Sequence, residues 1–556
     1  MTSRYPAWLR AALYEKGIGQ NIVPAQGVYP RPAMRVAPFY EKFGLQFVWD
    51  LPYSTWAVAR IAGRVDLARG FLENMLELAV TDGPDAGMIP RSVTAAGDQA
   101  GQDGSQTSLL AWLANSLHEL EPDDAFLARV YPALAASLDW WQSPRRDVDG
   151  DGLCEYAGST PTYVSYEGLD YSPERDLVMG QPTPQGSDGL VHEPIADVSL
   201  NACLYAELDA LAAIAGVVDP EAVSRWQTRR DDLKRCMHER MWDEEVGGFF
   251  PVLRRDLDPG QPRVYRHTPA LLQPLWAGLA TQAQADRTVS TLRQVPRDYP
   301  FHDGAMTIRL DPDRYLGYQV VTDGLHPSRG TGSAAAGVEF TDTGFVARFG
   351  ADRGPAATAF TSLVVAVTVR SAEPGGHVTV ELEDGGGHVA AVVDTAVDGP
   401  GVVESPGTDP FRATAEVPWT RGLRRVELRA TGCDVAEVAL RYSRQDRAGL
   451  LSAFGIKSAH PLDGKHPAPG APTQFWSGTI WAPQNFHGCH GLARYGHLDL
   501  AKACAMAFCD ATTTSFLAGG EAFEHLSHED GRGLGVTDYS WTAAVALVLM
   551  ADFLDD

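Results

Sequence analysis

The sequence predicts a mostly helical protein in which a closed ring of paired helices is interrupted by an inserted β-sandwich, and three observations predict it. Apolar residues recur at helical spacing in consecutive segments between residues 55 and 292. From about residue 297 to residue 443 the sequence shows short alternating runs separated by Gly, Pro and Asp, which is typical of a β-sandwich. Helical spacing returns after residue 476. Roughly a dozen helices in consecutive hairpins favour a toroid with its long loops on one face.

The helices are predicted in pairs along the chain. Leu109, Leu110, Leu113 and Leu117 form the apolar face of one helix, and its partner begins after the acidic cap at residues 121–124. Gly247-Gly248, between apolar residues, predicts a hairpin turn. The predicted helices span residues 55–62, 67–79, 106–120, 125–141, 196–215, 221–241, 269–279, 283–292, 476–495, 498–508 and 539–554.

These patterns divide the chain into four parts. Residues 1–45 hold one short helical pattern and a Pro-rich lead-in, and residues 46–296 form the first part of the helical barrel. Residues 297–443 form the inserted β-sandwich module, and residues 444–556 complete the barrel. The inserted module could serve as a dimer interface, so a homo-oligomer is one possible state of the protein.

Composition excludes several classes of partner. The chain has 46 basic and 71 acidic residues and a formal charge of −25, which would repel nucleic acids and anionic membrane surfaces. The N-terminal residues lack an apolar run of signal-peptide length, and no stretch reaches the ~18 apolar residues of a membrane span. Seven scattered cysteines, an odd number, indicate buried thiols in a reducing compartment. We therefore expect a cytoplasmic protein.

Two acidic stretches are predicted to be ordered loops that present carboxylates. Residues 166–176 contain four acids, two tyrosines, a Gly and a Pro, which cannot make a continuous amphipathic helix. Residues 521–535 form a second such stretch. We expect the fold to bring the two loops together, so that one carboxyl group from each faces a shared site.

Motifs across roughly three quarters of the chain resemble the inverting glycosidases of glycoside hydrolase family sixty-three and its relatives, which include processing α-glucosidases and the mannosylglycerate and glucosylglycerate hydrolases. Two motifs depart from the family pattern, at Trp476-Ser477-Gly478-Thr479 and at Glu524-His525-Leu526. The segments that carry the resemblance, in chain order, are Val48-Trp49-Asp50, Gly87-Met88-Ile89-Pro90-Arg91, Ser105-Gln106, Asp151-Gly152-Leu153, Glu167-Gly168-Leu169-Asp170-Tyr171-Ser172-Pro173, Asp197 with Leu200-Asn201-Ala202, Trp242-Asp243, residues 475–485, Phe523-Glu524-His525, residues 531–535 and Asp538-Tyr539-Ser540-Trp541.

The resemblance implies an (α/α)6 barrel and a pair of catalytic carboxyl groups. Asp170 would be the general acid and Glu524 the general base, with the two carboxyl groups roughly 6.5–9.5 Å apart. From the residues alone, Glu167 and Glu174 compete with Asp170, and Glu521 and Glu529 compete with Glu524. Because sugars stack on flat aromatics and bond to planar polar groups, the candidate substrate-binding residues are Trp49, Asp50, Gln106, Tyr166, Glu167, Trp476, Trp481 and Trp541.

No metal or other cofactor is predicted. Asp147, Asp149, Asp151 and Gly152 match positions one, three, five and six of a calcium loop, but Gly158 stands at position twelve, where a bidentate acid is expected. A sharp turn from helix to loop explains this pattern better. The histidines do not form the H-E-x-x-H pattern of a zinc protease.

The leading hypothesis is an inverting α-glycosidase of the glucosidase or mannosidase type that cleaves a short α-linked glycoside, without a cofactor, by general acid and base catalysis. Its partner would be a small carbohydrate, and glucosylglycerate or mannosylglycerate compounds are one candidate class. One alternative is a trehalase-like disaccharide hydrolase on the same barrel. Another is a non-catalytic carbohydrate-binding protein in which the β-module binds sugar.

Overall fold

The computed structural model describes residues 4–98, 104–158, 188–257, 259–261, 263–264, 268–293, 305–310, 316–319, 335–341, 343–349, 362–384, 387, 389–404, 423–443, 450–458, 478–528 and 530–555. Twelve α-helices lie within this part of the chain. They are α1 (Ala7–Gly17), α2 (Leu51–Ala62), α3 (Val65–Leu76), α4 (Leu110–Leu120), α5 (Asp124–Trp141), α6 (Val198–Val218), α7 (Val223–Arg240), α8 (Gln273–Ala277), α9 (Gln282–Arg293), α10 (Ala482–Arg494), α11 (Leu498–Gly519) and α12 (Ser540–Leu549).

Six of the helices contact one another in a closed sequence. Helix α2 packs on α4, α4 on α6, α6 on α8, α8 on α10 and α10 on α12, and α12 then returns to pack on α2. The alternate helices pack against this ring: α3 on α2, α5 on α4 and α6, α7 on α6, and α11 on α10 and α12. Helix α1 packs on α12. The helical pairs expected from the sequence are therefore arranged around a ring of contacts.

Helix α6 shows why the ring is stable. Asp197 caps its first turn by accepting the N–H of Leu200 at 3.0 Å. Within the described residues, α6 is the helix whose length and hydropathy match those of a membrane span, and 72% of that apolar window is buried inside the fold. Its neighbours α4, α5, α7 and α8 cover it. Because a helix that is apolar on all faces must be covered all round, its composition reflects a core position.

Three helices differ most from the expected bounds. Helix α11 continues to Gly519 instead of ending at residue 508, and within the added turns Thr513 donates its hydroxyl to the Cys509 carbonyl at 2.7 Å. The expected helix 269–279 is a 3₁₀ turn, Pro269–Leu272, followed by the short α8. Helix α10 begins only at Ala482, since the residues before it form a strand.

The strands form small pairs around the helices and one large sheet. Trp242–Asp243 and Gly248–Phe249 pair as a hairpin, as expected, although Gly248 lies in the second strand and the turn is formed by residues 244–247. The strands are β1 (Ile22–Val23), β2 (Ala33–Met34), β3 (Gln46–Phe47), β4 (Ser92–Val93), β5 (Ala157–Gly158), β6 (Val191–His192), β7 (Ile195–Ala196), β8 (Trp242–Asp243), β9 (Gly248–Phe249), β10 (Val252–Leu253), β11 (Ala305–Leu310), β12 (Leu316–Gln319), β13 (Ala335–Thr341), β14 (Gly344–Phe349), β15 (Ser362–Asp384), β16 (Val389–Val397), β17 (Gly401–Glu404), β18 (Leu423–Ser443), β19 (Leu451–Ser452), β20 (Gly455–Ile456), β21 (Ile480–Trp481), β22 (Phe523–Leu526) and β23 (Gly533–Thr537).

Strands β11 to β18 form an eight-stranded antiparallel sheet in the inserted module. Its two central strands, β15 and β18, are 23 and 21 residues long, where shorter separate runs were expected. Their pairing shifts register between Ala372 and His377, and on the N-terminal side of that shift β15 pairs with β17, whereas on the other side it pairs with β16. Val367 from the first half and Val380 from the second half lie in one buried apolar cluster. The two halves of the sheet therefore share a core.

The prediction of a loop over residues 521–535 is wrong. Strand β22 pairs with β21 on one side and with β23 on the other, giving a three-stranded antiparallel sheet. The sequence does not predict these strands because their composition is charged and Gly-rich. The apolar strand of the sheet, β21, lies some forty residues earlier in the chain. The other acidic stretch, residues 166–176, lies outside the described residues.

Candidate functional site

Glu524 lies in the middle of the three-stranded sheet and is 3% exposed. Its Oε1 accepts a hydrogen bond from the Tyr40 hydroxyl at 3.1 Å, and its Oε2 accepts one from the Val536 N–H at 3.2 Å. Its main-chain carbonyl accepts the Trp541 indole N–H at 2.8 Å and the Thr542 hydroxyl at 3.1 Å. Both the side chain and the backbone of Glu524 are thus held in place, and hydrogen bonds to the carboxylate favour its charged form.

Gly535 makes the approach of strand β23 to this carboxylate possible. A Cβ atom at position 535 would lie 2.6 Å from Glu524 Oε2, and the backbone there has φ +77°, a conformation that L side chains rarely adopt. Gly535 itself is exposed, while Glu524 beside it is buried. The carboxylate therefore lies directly beneath a part of the surface that carries no side chain.

A second carboxylate, Asp50, is joined to the same cluster through Tyr539. Asp50 precedes helix α2 and is 5% exposed, and its Oδ1 accepts the Tyr539 hydroxyl at 2.8 Å. The rings of Tyr40 and Tyr539 meet edge to face with centroids 5.8 Å apart. Burial, followed by the charges of Asp50 and Glu524, raises the pKa of Tyr539 well above its ordinary value. Tyr539 is therefore a neutral donor at physiological pH.

Gln106 and Trp49 meet next to Asp50. The main-chain N–H of Trp49 donates to Gln106 Oε1 at 3.3 Å, so the segment before α4 contacts the segment before α2. The Trp49 ring packs edge to face on Tyr53, with centroids 5.4 Å apart, and on His487 at 5.9 Å. Trp49 and Gln106 are each 3% exposed.

Trp481 and Trp541 surround strand β22. Trp481 stacks on His525 with centroids 4.5 Å apart and an interplanar angle of 15°, and its indole N–H donates to the Thr479 hydroxyl at 2.7 Å. Burial lowers the pKa of His525 to about 4, so the ring next to Glu524 in the chain is neutral at pH 7. Both tryptophan side chains contact the strand that carries Glu524, and both indole N–H groups donate within the protein.

Four residues expected at the site lie outside the described part of the chain. They are Asp170, Tyr166 and Glu167 of the first acidic stretch, and Trp476. Of the residues expected from the sequence, the structure brings together Trp49, Asp50, Gln106, Trp481, Glu524 and Trp541, which come from four separate parts of the chain.

Comparison with known proteins places the chain in a family. The family model "Mannosylglycerate hydrolase MGH1-like glycoside hydrolase domain" matches residues 46–307 and 431–542, which is more than half of the chain. The chain belongs to glycoside hydrolase family 63. It is therefore a glycoside hydrolase, and the resemblance noted in its sequence motifs is confirmed.

The relatives of this family 63 hydrolase are distant. Mannosylglycerate hydrolases MGH1 and MGH2 of Selaginella moellendorffii are each 32% identical to it over 95 residues, which is 17% of this chain and 18% of each relative. The match thus spans about a fifth of their length. A crystal structure of a GH63 mannosylglycerate hydrolase from Thermus thermophilus in complex with glucose matches with a TM-score of 0.50 and 17% identity, covering 97% of this chain and 99% of that chain. At this identity the likeness shows the fold, which belongs to the helical barrel class.

Sequence reasoning missed the two tyrosines of this hydrolase that contact the buried carboxylates. Tyr539 lies inside a recognised motif. The residue before it, Asp538, has φ +57°, so the chain makes a constrained turn there that the sequence does not reveal. Tyr40 comes from the 3₁₀ turn Pro38–Lys42 in the Pro-rich lead-in, which carries no motif. Its role depends on a contact across 484 positions of the chain.

Proposed function

We propose that this family 63 hydrolase is an inverting α-glycosidase of the glucosidase or mannosidase type, with Glu524 as general base and Asp170 as general acid. The observation that supports it best is the environment of Glu524. This carboxylate is buried, receives donors on both oxygens and lies beneath a position where a Cβ is excluded. An ionised carboxylate in such a place can orient and deprotonate a water molecule.

In the proposed reaction, water attacks the anomeric carbon on the face opposite to the leaving oxygen. One proton of that water passes to Glu524, the glycosidic C–O bond breaks, and the leaving oxygen takes the proton of Asp170. Inversion requires the two carboxyl groups to be far enough apart to hold both the sugar and the water. The donors from Tyr40 and Val536 would stabilise Glu524 in its charged form before each turnover.

The proposed substrate is a short α-linked glycoside. Asp50 and Gln106 would bond to sugar hydroxyls, and Trp49 would pack against the ring, because these three residues lie beside one another at the helix starts nearest the carboxylate cluster. Trp481, Trp541, Tyr166, Glu167 and Trp476 complete the proposed binding set. The match to mannosylglycerate hydrolases supports a glycosylated glycerate as one candidate.

We also propose that the closed ring of α2, α4, α6, α8, α10 and α12 is the inner layer of an (α/α)6 barrel built from residues 46–296 and 444–556. The family match, which omits residues 308–430, supports an insertion of a separate module at 297–443. The shared core of its two sheet halves supports a β-sandwich. Its replacement by a short linker should leave bond cleavage intact, and soluble protein without activity would contradict this.

A cytoplasmic location is likewise proposed. All seven cysteines are free thiols, and six of them are buried. Such a set would suit a reducing compartment. The proposed partner is the carbohydrate itself, with neither nucleic acid nor membrane involved, and the oligomeric state is left to measurement.

Two experiments test the proposal. A panel of α-linked disaccharides and glycosyl-glycerates is incubated with the purified protein, and we expect hydrolysis of at least one of them. With that substrate, NMR of the freshly released sugar should show the β-anomer first. Initial release of the α-anomer would mean a retaining mechanism, and full turnover by Asp170→Asn or Glu524→Gln would remove these residues from their proposed roles.

A further inference from the structure

A further buried carboxylate, Glu207, lies in the middle of helix α6 and plays no part in the proposed reaction. The residue is 2% exposed. Its Oε2 accepts the Ser108 hydroxyl at 3.0 Å and the Ala111 N–H at 3.1 Å, and its Oε1 accepts the Trp112 N–H at 2.8 Å. All three donors belong to the start of helix α4, so Glu207 joins two neighbouring helices of the ring.

Helix α4 begins without a capping side chain at its own N-cap position. The residue there, Leu109, is apolar and buried, so it offers no acceptor to the first turn. The first N–H groups of a helix have no partner within the helix, and a negative charge beside them is favourable. Glu207 therefore supplies from α6 the cap that the sequence of α4 omits.

The charge of Glu207 depends on these donors. Within the described residues, no basic side chain forms an ion pair with this carboxylate. Burial raises the pKa of Glu207 to about 7, and the N–H groups of Trp112 and Ala111 oppose that rise. At pH 8 the carboxylate is therefore ionised, and neutral groups at the start of α4 stabilise its charge.

The segment that Glu207 holds also carries Gln106. The Gln106 Oε1 accepts the main-chain N–H of Trp49 at 3.3 Å, and within the described part of the chain its amide nitrogen donates no hydrogen bond to the protein. The next residue, Thr107, shares a hydrogen bond of 2.6 Å with the Tyr156 hydroxyl. Ser108, which donates to the Glu207 carboxylate, follows directly. Gln106 is thus fixed from one side by bonds to the residues that join it to α4.

We propose that Glu207 is a positioning residue, which fixes the start of α4 so that Gln106 meets the sugar. This inference rests on the proposed function, in which Gln106 bonds to a sugar hydroxyl. Glu207 itself does not touch the substrate and acts through Ser108 and the first turn of α4. A small displacement of a group that orients the substrate costs much of the rate, so loss of this cap should lower turnover as well as stability.

The first experiment tests the cap without reference to activity. Glu207→Gln keeps the size of the side chain but turns an NH₂ group towards donors of α4. In the full-length protein at pH 8, the amides of Ala111 and Trp112 should exchange hydrogen at least about tenfold faster in this variant. The control is Asp209→Asn, an exposed acid on the same helix, which should exchange as wild type does. Unchanged protection in Glu207→Gln would overturn the inference, whatever the protein hydrolyses.

A double-mutant cycle then tests the positioning role, with the panel substrate that the wild type hydrolyses fastest. Gln106→Ala should lower kcat/KM about 100-fold and Glu207→Gln about tenfold, whereas the double variant should be no slower than Gln106→Ala. Losses that multiply would mean that Glu207 acts independently of Gln106 and would overturn the inference. No loss in Gln106→Ala would refute the sugar contact of the proposed function, and the positioning role with it, while the cap seen by hydrogen exchange would stand.

A second variant covers the case in which Glu207→Gln does not fold. Ser108→Ala removes one of the three donors and leaves the carboxylate in place. It should speed the same amide exchange and lower kcat/KM about threefold, and the loss should again disappear when Gln106 is already Ala. A loss of the same size in both backgrounds would overturn the inference.

Discussion

Glu524 and Glu155 are both buried glutamates, yet the protein surrounds them in opposite ways. Glu524 has a neutral donor on each oxygen, from Tyr40 and from the Val536 N–H. Among the residues that the structure describes, Glu155 has a single backbone donor and three aspartates within 4.8 Å. Glu524 lies on a strand between two others, and Glu155 lies in a loop closed by glycines.

This difference shows two environments that act in opposite ways on the charge of a buried carboxyl group. Neutral donors stabilise the charge and leave the carboxylate able to take a proton, which a general base requires. Clustered acids do the reverse: burial, followed by the charge of Asp149, raises the pKa of Glu155 well above its ordinary value and so favours its neutral form. Burial alone therefore does not identify a catalytic acid or base, whereas the type of partner does.

The largest expected effect comes from removing the charge at Glu524. Glu524→Gln keeps the size of the side chain but cannot accept a proton from water, so kcat should fall roughly 1,000-fold. The variant should still show a cooperative thermal transition. The control is Glu521→Gln, two residues before strand β22, which should retain nearly full turnover. Comparable losses of kcat in the two variants would show that Glu524 has no special role in turnover.

His525 tests how far the surroundings of Glu524 exclude charge. Burial lowers its pKa from 6.5 to about 4, so the unfolded chain binds a proton that the folded chain does not. The associated stability is complete above pH 6.5 and is lost as the pH falls towards 4, by up to about 3 kcal/mol.

His525→Phe preserves an aromatic ring against Trp481 and removes this titration. Urea unfolding at pH 7.5 and pH 4.5 measures the difference. The free energy of unfolding of wild type should drop more between the two pH values than that of the variant. Equal drops in both proteins would show that His525 is protonated in the folded state.

Much of the helical architecture is predictable because its signal is local. Apolar residues at helical spacing mark α2 to α7 to within a few residues, and the Gly247-Gly248 turn marks a hairpin. The strand that carries Glu524 is not predictable in this way, since its pairing with β21 is set by distant parts of the chain. Glu524 itself was found through a motif, whereas Tyr40 and Glu155 act through contacts that no local pattern records.

Glu155→Gln should change the stability of the protein, whereas Glu524→Gln should change its turnover. Burial raises the pKa of Glu155 well above its ordinary value, so folding at pH 7 costs the uptake of a proton by this side chain, and the amide removes that cost. We expect the variant to be more stable than wild type by about 2 kcal/mol. Urea unfolding at pH 7 measures this, with Asp232→Asn, an exposed acid on helix α7, as the surface control. A variant less stable than wild type would mean that the protein already balances Glu155.

The smallest expected effect is also the sharpest test of how Glu524, the proposed general base, is held. Tyr40→Phe keeps the ring that packs on Phe47 and Tyr539 but removes the hydroxyl that donates to Glu524. Because this hydrogen bond favours the charged carboxylate, kcat/KM should fall roughly tenfold, and the acid limb of its pH profile should move to higher pH by about one unit.

Tyr539→Phe is the matched comparison for this change, since its hydroxyl donates to Asp50 rather than to Glu524. It should raise KM through the proposed sugar contact of Asp50 and leave the acid limb within a few tenths of a pH unit. If both tyrosine variants moved the acid limb equally, the two buried carboxylates would titrate as one coupled unit. If neither moved it, the Tyr40 hydroxyl would position Glu524 without influencing its charge.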